Sequence, residues 1–297
     1  MGAGTRSAER ISVDQAIRTV DIASFRRTIM AYEARNRRSM PWRAPPLRPR
    51  KDRSIDPYAV VVSEIMLQQT QVSRVMEKYP LFMSAFPDFA SLARAPVAKV
   101  LGVWSGLGYN RRAVFLKRLS KTVTRDYGGD VPRDPVVLAT LPGIGAATAG
   151  SICAFAFDIP VAFIETNIRR VFIHFFFPHK RRVRDQDIMP LVREACPKQG
   201  VRSWYCALMD YGAMLATKVE NPNRNSAQYT KQKRFVGSSR ELRGLIIKIL
   251  LSRRAASFSL LARETGERAA RVKEAVASLE RDRMVLCAGR LVRLISF

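Results

Sequence analysis

The sequence predicts an all-α main body followed by a small winged-helix-like module, and three observations carry that reading. From residue 20 to about residue 215 the chain reads as successive helices of roughly 10–15 residues, broken by Pro and Gly, with little of the period-two alternation that marks strands. At 297 residues it is about twice the length of a typical domain. Beyond a polar, turn-rich stretch the pattern changes to three short helices and two short apolar runs, so the expected division is residues 1–236 and 237–297.

Composition narrows the function classes. A hydrophobic fraction of 47% and a charged fraction of 26% belong to a globular chain that folds in water. The 51 Lys and Arg against 25 Asp and Glu give a net charge of +26, which points to a polyanionic partner. No run approaches the roughly 18 apolar residues of a membrane span, and the first residues (MGAGTRSAERISVDQ) lack the apolar stretch of a secretory signal. The expected location is cytoplasmic and nucleoid-associated, with duplex DNA as partner and the protein a monomer. Cys153 and Cys287 stand alone, and Cys196 and Cys206 are not at metal-ligand spacing, so reduced thiols and no cofactor are expected.

Within the body, residues 44–55 hold Pro45, Pro46 and Pro49 among arginines and a lysine, which predicts a solvated basic loop. Residues 56–70 (DPYAVVVSEIMLQQT) begin with a proline suited to a first helical turn and are apolar almost all round. Glu64 is therefore a carboxylate in a mostly buried helix, where desolvation favours the protonated form that a general acid needs; a salt-bridged structural Glu is the equal alternative. Gln68 and Gln69 follow one turn later, with amides able to bond a base edge or fill a gap in a stack.

Residues 138–152 (LATLPGIGAATAGSI) carry the sharpest local signal. Pro142, Gly143 and Gly145 lie between two helices, and the glycines leave no side chain between the backbone amides and a ligand. Amides at the start of the next helix, around Ala147 and Thr148, can hold one phosphate, so this is a helix-hairpin-helix pattern that grips duplex DNA without reading sequence. In residues 161–171 (VAFIETNIRRV), Glu165 ends an apolar run, with Thr166 or Asn167 as candidate cap of a helix beginning near Ile168. The dipole of that helix would keep Glu165 ionised, and taken alone it is a cap-region charge.

Residues 217–239 read as a polar, basic linker that can lie along phosphates. After it, residues 240–251 place Leu242, Leu245, Ile246, Ile249 and Leu250 on one helical face. A second helix over 257–265 stops at Gly266, and a third over 267–280 buries Ala269, Val272, Val276 and Leu279. Runs 284–287 and 291–295, joined at Ala288-Gly289, read as a hairpin. From residue 240 onward there are 13 Lys and Arg against 6 Asp and Glu, a balance of +7. Winged helices bind DNA and proteins alike, and both remain open.

Several stretches together resemble the helix-hairpin-helix DNA glycosylases, and within them the adenine glycosylases of the MutY type. They are PWR (41–43), DPY (56–58), SEIMLQQTQV (63–72), GLGYNRRA (106–113), YGGDVP (127–132), LPGIGAATAG (141–150) and ALMDYGAM (207–214), in the family's order. The resemblance implies two helical lobes with the active site in the cleft between them, where a flipped base loses its N-glycosidic bond. It further implies that Glu64 is the general acid and Glu165 the carboxylate that steadies the sugar cation. Gln69 would wedge into the vacated stack, Trp42 and Arg43 would line the adenine pocket, and Asp210 would face the base. Tyr109 and Asn110 would lie toward the opposite strand.

Four departures accompany the resemblance. Relatives carry Asp at the position of Glu165 and glycine at that of Thr166. They carry four cysteines after the ALMD motif, where this chain has Ala216 and none of the rest, so no iron–sulfur cluster is expected. Ala147 stands where bifunctional relatives place a lysine nucleophile, so no lyase activity is expected. The 8-oxoguanine-recognition domain is replaced by the winged-helix-like module. The leading expectation is a monofunctional adenine glycosylase acting opposite G or 8-oxoguanine. The alternatives are a thymine or uracil mismatch glycosylase and a non-catalytic damage-binding protein.

Overall fold

The computed structural model describes residues 20–43, 55–232 and 234–295, so most of the expected basic loop, residues 44–54, lies outside the described residues. Among the described residues, eleven α-helices precede residue 220: α1 (Ile22–Asn36), α2 (Pro57–Leu67), α3 (Val72–Ala85), α4 (Phe89–Arg94), α5 (Val97–Trp104), α6 (Arg111–Asp126), α7 (Pro135–Ala139), α8 (Ala146–Phe157), α9 (Thr166–Phe176), α10 (Asp185–Ala195) and α11 (Val201–Lys218). Among the described residues, no helix is long and apolar enough to cross a membrane. Internal contacts divide the chain into two units, residues 1–39 with 149–231, and residues 40–148 with 232–297.

The first unit is built on aromatic packing. Phe25 of α1 meets Phe172, Phe175 and Phe176 of α9 edge-on, each at 5.1 Å, and Trp204 of α11 at 5.7 Å. Such edge-to-face pairs add to area burial because the positive ring edge meets a negative face. Arg26 donates to the carbonyls of Glu194, Ala195 and Cys196 and thereby closes the C-terminus of α10.

Of residues 217–239, expected to be a polar, basic linker, the part from 219 to 231 includes a fixed strap. A 3₁₀ turn forms at Pro222–Asn225, and Asn223 and Ser226 are buried. Val183 pairs with the strap in parallel, donating to Asn225 O at 2.8 Å and accepting from Ala227 N at 2.8 Å. Side chains of the strap bond one another and the backbone: Asn221 Oδ1 accepts from Asn223 N at 3.2 Å, and Ser226 Oγ accepts from Gln228 N at 3.1 Å.

In the second unit, fully buried Trp104 at the end of α5 meets Phe82 of α3 edge-on at 5.8 Å, and its Nε1 donates to Gly108 O at 3.0 Å. Lys117 on the inner face of α6 is 3% exposed and donates to Ala93 O at 2.7 Å near the end of α4. Burial lowers its pKa to about 8. The unfolded lysine, near 10.4, then holds a proton that the folded one has released between those pH values, so this group makes stability rise with pH there. Urea unfolding of Lys117→Met at several pH values checks this: the parent protein should gain stability relative to the variant from about pH 8 to pH 10.

The C-terminal part of this unit contains α12 (Ser239–Arg253), strand β1 (Ala255–Ser257), α13 (Phe258–Thr265), α14 (Ala269–Arg281), β2 (Val285–Ala288) and β3 (Leu291–Leu294). The strands form an antiparallel sheet in the order β1-β3-β2, with Ala256 opposite Val292 and Val285 opposite Leu294. Ser257 caps α13 by accepting from Leu260 N, and left-handed Gly266 ends it. Two details differ from expectation. On α12 the buried row is Leu242, Ile246, Ile247 and Leu250, leaving Leu245 41% exposed. On α14, Ala275 is buried instead of Ala269.

Candidate active site

Helix α2 starts at Asp56, whose side chain accepts from Tyr58 N at 3.0 Å, and at Pro57. It is buried except at Ala59, Glu64 and Leu67, and Glu64 is the carboxyl it carries, half-buried rather than enclosed. The helix ends at Gln68. Gln69 follows with φ 54°, a left-handed conformation that is costly for a residue with a Cβ, and is exposed.

What holds that end is Arg112 of α6. Its guanidinium is buried and donates to the carbonyls of Ile65 (2.7 Å), Met66 (2.9 Å) and Gln68 (2.5 Å), to Thr70 Oγ1 (2.7 Å) and to Gly108 O (3.3 Å). A cation across the last carbonyls of a helix satisfies groups that have no intrahelical partner and opposes the negative end of the dipole. Desolvation lowers the Arg112 pKa to about 10, so the group stays charged at neutral pH.

The turn at Leu141–Gly145 has Leu141 and Ile144 buried beneath it, with Gly143, Gly145, Ala146 and Ala147 exposed. Gly143 is required twice over: its φ is 82°, and an added Cβ would lie 2.9 Å from Phe115 Cβ. Pro142 and Thr148 are half-buried at either side. Gln68 bridges this turn to α2, its Nε2 reaching Gly143 O at 3.4 Å and Thr148 Oγ1 at 3.3 Å. The small residues that open α8, Gly145 to Ala147, are thus exposed at a helix N-terminus, where the first amides have no intrahelical partner.

In the first unit, Glu165 is itself the N-cap of α9, which begins at Thr166, two residues earlier than expected. A carboxylate reaches the amides of the first turn without help from Thr166 or Asn167. Glu165 Oε1 accepts from Asn167 N at 2.6 Å and Ile168 N at 2.8 Å, and Oε2 from Asn167 Nδ2 at 3.2 Å. Burial nevertheless pushes this carboxyl above the usual range, while the two amides, Arg170 and Arg169 pull the other way. The amides at the helix start favour the charged form and offset part of the desolvation.

A polar network fixes this cap. Arg170 Nη1 donates to Asn167 Oδ1 at 2.8 Å and to Gly212 O at 2.7 Å, and Arg170 Nε donates to Asn221 Oδ1 at 3.1 Å. Asn223 Nδ2 donates to Thr166 O at 2.9 Å, so the strap braces the first turn of α9. Gly212 allows α11 to approach: an added Cβ would sit 2.6 Å from Asn167 Cβ and 2.7 Å from Asn167 O.

With this geometry in hand, similarity to known proteins decides the family. Residues 62–198 match the HhH-GPD superfamily of base excision DNA repair proteins. Adenine DNA glycosylase of Mycolicibacterium smegmatis is 31% identical over 240 residues, covering 75% of this chain and 78% of that protein. Its counterpart in Mycobacterium tuberculosis strain H37Rv is 32% identical over 262 residues, covering 77% and 78%. The chain belongs to the adenine DNA glycosylase family. A solved thermostable thymine-DNA glycosylase has a TM-score of 0.56 at 25% identity, covering 71% of this chain and 92% of that one. A trapped endonuclease III–DNA covalent intermediate shares the fold, with a TM-score of 0.53 at 17% identity over 65% of this chain and 85% of that one.

The other positions expected from the adenine glycosylase resemblance lie in contrasting surroundings. Trp42 is buried in a 3₁₀ turn, edge-on to Tyr79 at 5.6 Å, with Arg43 half-buried beside it. Asp210 has a fully buried side chain whose Oδ1 accepts from Arg38 Nε at 2.7 Å and whose Oδ2 accepts from Arg38 N at 3.0 Å. Asn110 precedes α6 without a capping hydrogen bond, and Tyr109 has φ 47°. Sequence reasoning singled out neither Arg112 nor Arg170. Each is one arginine among many, and only the convergence of carbonyls marks it.

Proposed function

We propose that this protein is a base excision repair glycosylase that removes adenine from mispairs opposite G or 8-oxoguanine, without strand cleavage. The observation that carries this reading is Glu64, a half-buried carboxyl on a mostly apolar helix whose end is clamped by Arg112. Family membership, the exposed amides of the α8 turn and the +26 charge support DNA as substrate.

Glu64 gives its proton to a ring nitrogen of adenine as the C1′–N9 bond breaks, and that bond's electron pair leaves with the base. The sugar cation is steadied by the Glu165 carboxylate, in the form held by the α9 amides. Water supplies the oxygen that bonds C1′, and its released proton returns to Glu64. Ala147 offers no amine, so no Schiff base forms and borohydride should trap no DNA adduct.

Residues 237–297 fit a winged-helix module, and their balance of +7 suits a phosphate backbone. The protein acts as a monomer at the nucleoid. Gly145→Ala tests the turn: its added Cβ meets nothing within 4 Å, so folding stability should hold while duplex affinity weakens by about tenfold. Unchanged affinity would remove the turn from the interface.

The deciding experiment is single-turnover base release from duplexes carrying A, T, U or hypoxanthine opposite G, 8-oxoguanine or C, with alkali revealing abasic sites. Release of adenine supports the proposal. Release of T or U alone, the reading favoured by similarity to the thymine-DNA glycosylase, would replace it. No release from any duplex would leave a damage-binding protein.

A further inference from the structure

Residues 106–113 join α5 to α6 and hold the arginine that clamps the Glu64 helix, and the C-terminal segment grips this loop at two points. Gln232 Nε2 and Arg240 Nη1 both donate to Tyr109 Oη. The Arg240 guanidinium also lies over the Tyr109 ring at 5.2 Å, and Arg112 lies against the same ring at 5.3 Å. Two residues on, Arg111 Nε meets Asp282 Oδ1 at 3.4 Å, and Asp282 is in turn held by Arg243. At the far end of α12, Leu251 approaches Gly102 of α5, where an added Cβ would meet it at 3.7 Å.

We infer that the C-terminal segment is part of the positioning apparatus of the catalytic helix, with Arg240 acting through Tyr109 and Arg112 on the α2 end that carries Glu64, Gln68 and Gln69. Three features favour this over a purely DNA-docking role. Tyr109 has φ 47° between Gly108 at φ 72° and Asn110, a backbone that needs outside contacts to persist. Its ring is shared by Arg112 and Arg240, and a cation over an aromatic face is attracted most strongly where water is displaced. Finally, among the described residues the acceptors of Arg112 are backbone carbonyls and the Thr70 hydroxyl, and two ring faces flank it, Trp104 at 5.4 Å and Tyr109 at 5.3 Å. Arg240 is a positioning residue, since it touches neither base nor sugar in this assignment. The inference rests on the adenine glycosylase reading for its kinetic consequence and on geometry alone for its structural one.

The test uses the full chain with Arg240→Ala, Arg240→Lys, Tyr109→Phe and the Arg240→Ala/Tyr109→Phe double variant. Adenine release is followed under single turnover at saturating enzyme, duplex affinity is measured separately, and amide hydrogen exchange of residues 65–70 is recorded without DNA. Arg240→Ala should slow release at saturation by about tenfold or more, with affinity changed less than about threefold, and should speed exchange at 65–70. Arg240→Lys, which keeps a cation near the ring, should recover part of the rate. The double variant should be no slower than the slower single variant, the mark of residues acting along one line.

A saturated rate for Arg240→Ala within about twofold of the parent, together with unchanged exchange, would overturn the inference. So would a loss confined to affinity, which is what DNA docking alone predicts. If the parent releases no adenine, the function reading fails while the exchange comparison still decides the positioning role. Should Arg240→Ala not fold, Arg240→Lys and Tyr109→Phe carry the same two comparisons.

Discussion

Glu64→Gln is expected to slow adenine release by roughly 10²–10⁴-fold at saturating enzyme while leaving duplex affinity within about threefold. The amide has the shape of the carboxyl but no acidic proton to give. Because Glu64 sits at the half-buried edge of α2 and contributes none of its buried core, the thermal midpoint should hardly move. Release of uracil, which departs as a stabilised anion, should suffer less than release of adenine. Single-turnover kinetics on matched A and U duplexes make the comparison. An equal loss on both bases would remove the general-acid role, and a loss seen only in affinity would move Glu64 from chemistry to binding.

Gly212→Ala should have the second largest effect, and it acts without touching a reacting atom. The new Cβ would lie 2.6 Å from Asn167 Cβ, 2.7 Å from its carbonyl oxygen and 2.9 Å from its Cα, all too close and two of them backbone atoms that cannot rotate away. Helix α9 must shift away from α11, and the shift breaks the bond from Arg170 to Gly212 O and disturbs the amides on Glu165. Overpacking of this kind costs about 1–3 kcal/mol, or roughly 3–10 °C in thermal midpoint for a domain this size. Base release should fall by about tenfold or more even below the new midpoint. Gly244→Ala is the control: its Cβ meets nothing within 4 Å inside α12, so it should stabilise the helix by about 0.5–1 kcal/mol. Normal activity in Gly212→Ala would detach the α9–α11 crossing from the site.

Much of this was legible in the sequence because the relevant signals are local. The Pro-Gly-Ile-Gly turn, the Pro57 start of α2 and the Gly266 stop of α13 each depend on one residue's backbone preference, and each lies where it was expected. Contacts between distant residues were not legible. The short strand β1 is only three residues long and exists through pairing with β3, so no run of its own announced it. Leu245 and Ile247 are equally apolar, and only the orientation of α12 decided which is buried. The polar strap looked like a linker because asparagines favour turns and solvent alike; it is ordered by Arg170 and Val183, some 40 to 50 positions earlier in the chain. Glu165 was placed beside a helix start, but its burial and its network could not be read from neighbours in sequence.

The left-handed backbone at Gln69 has a consequence for how the molecule would search DNA. A side chain meant to enter a base stack normally has to be bent into place at each encounter, and that effort is charged to every site visited. Here the awkward conformation is fixed in the free protein, held by the grip of Arg112 on the preceding carbonyl, so folding has already supplied the distortion. In the wedging role that the family resemblance implies for Gln69, a probe cocked in advance would interrogate base pair after base pair during sliding with little cost at each step. It commits only where a weak pair gives way.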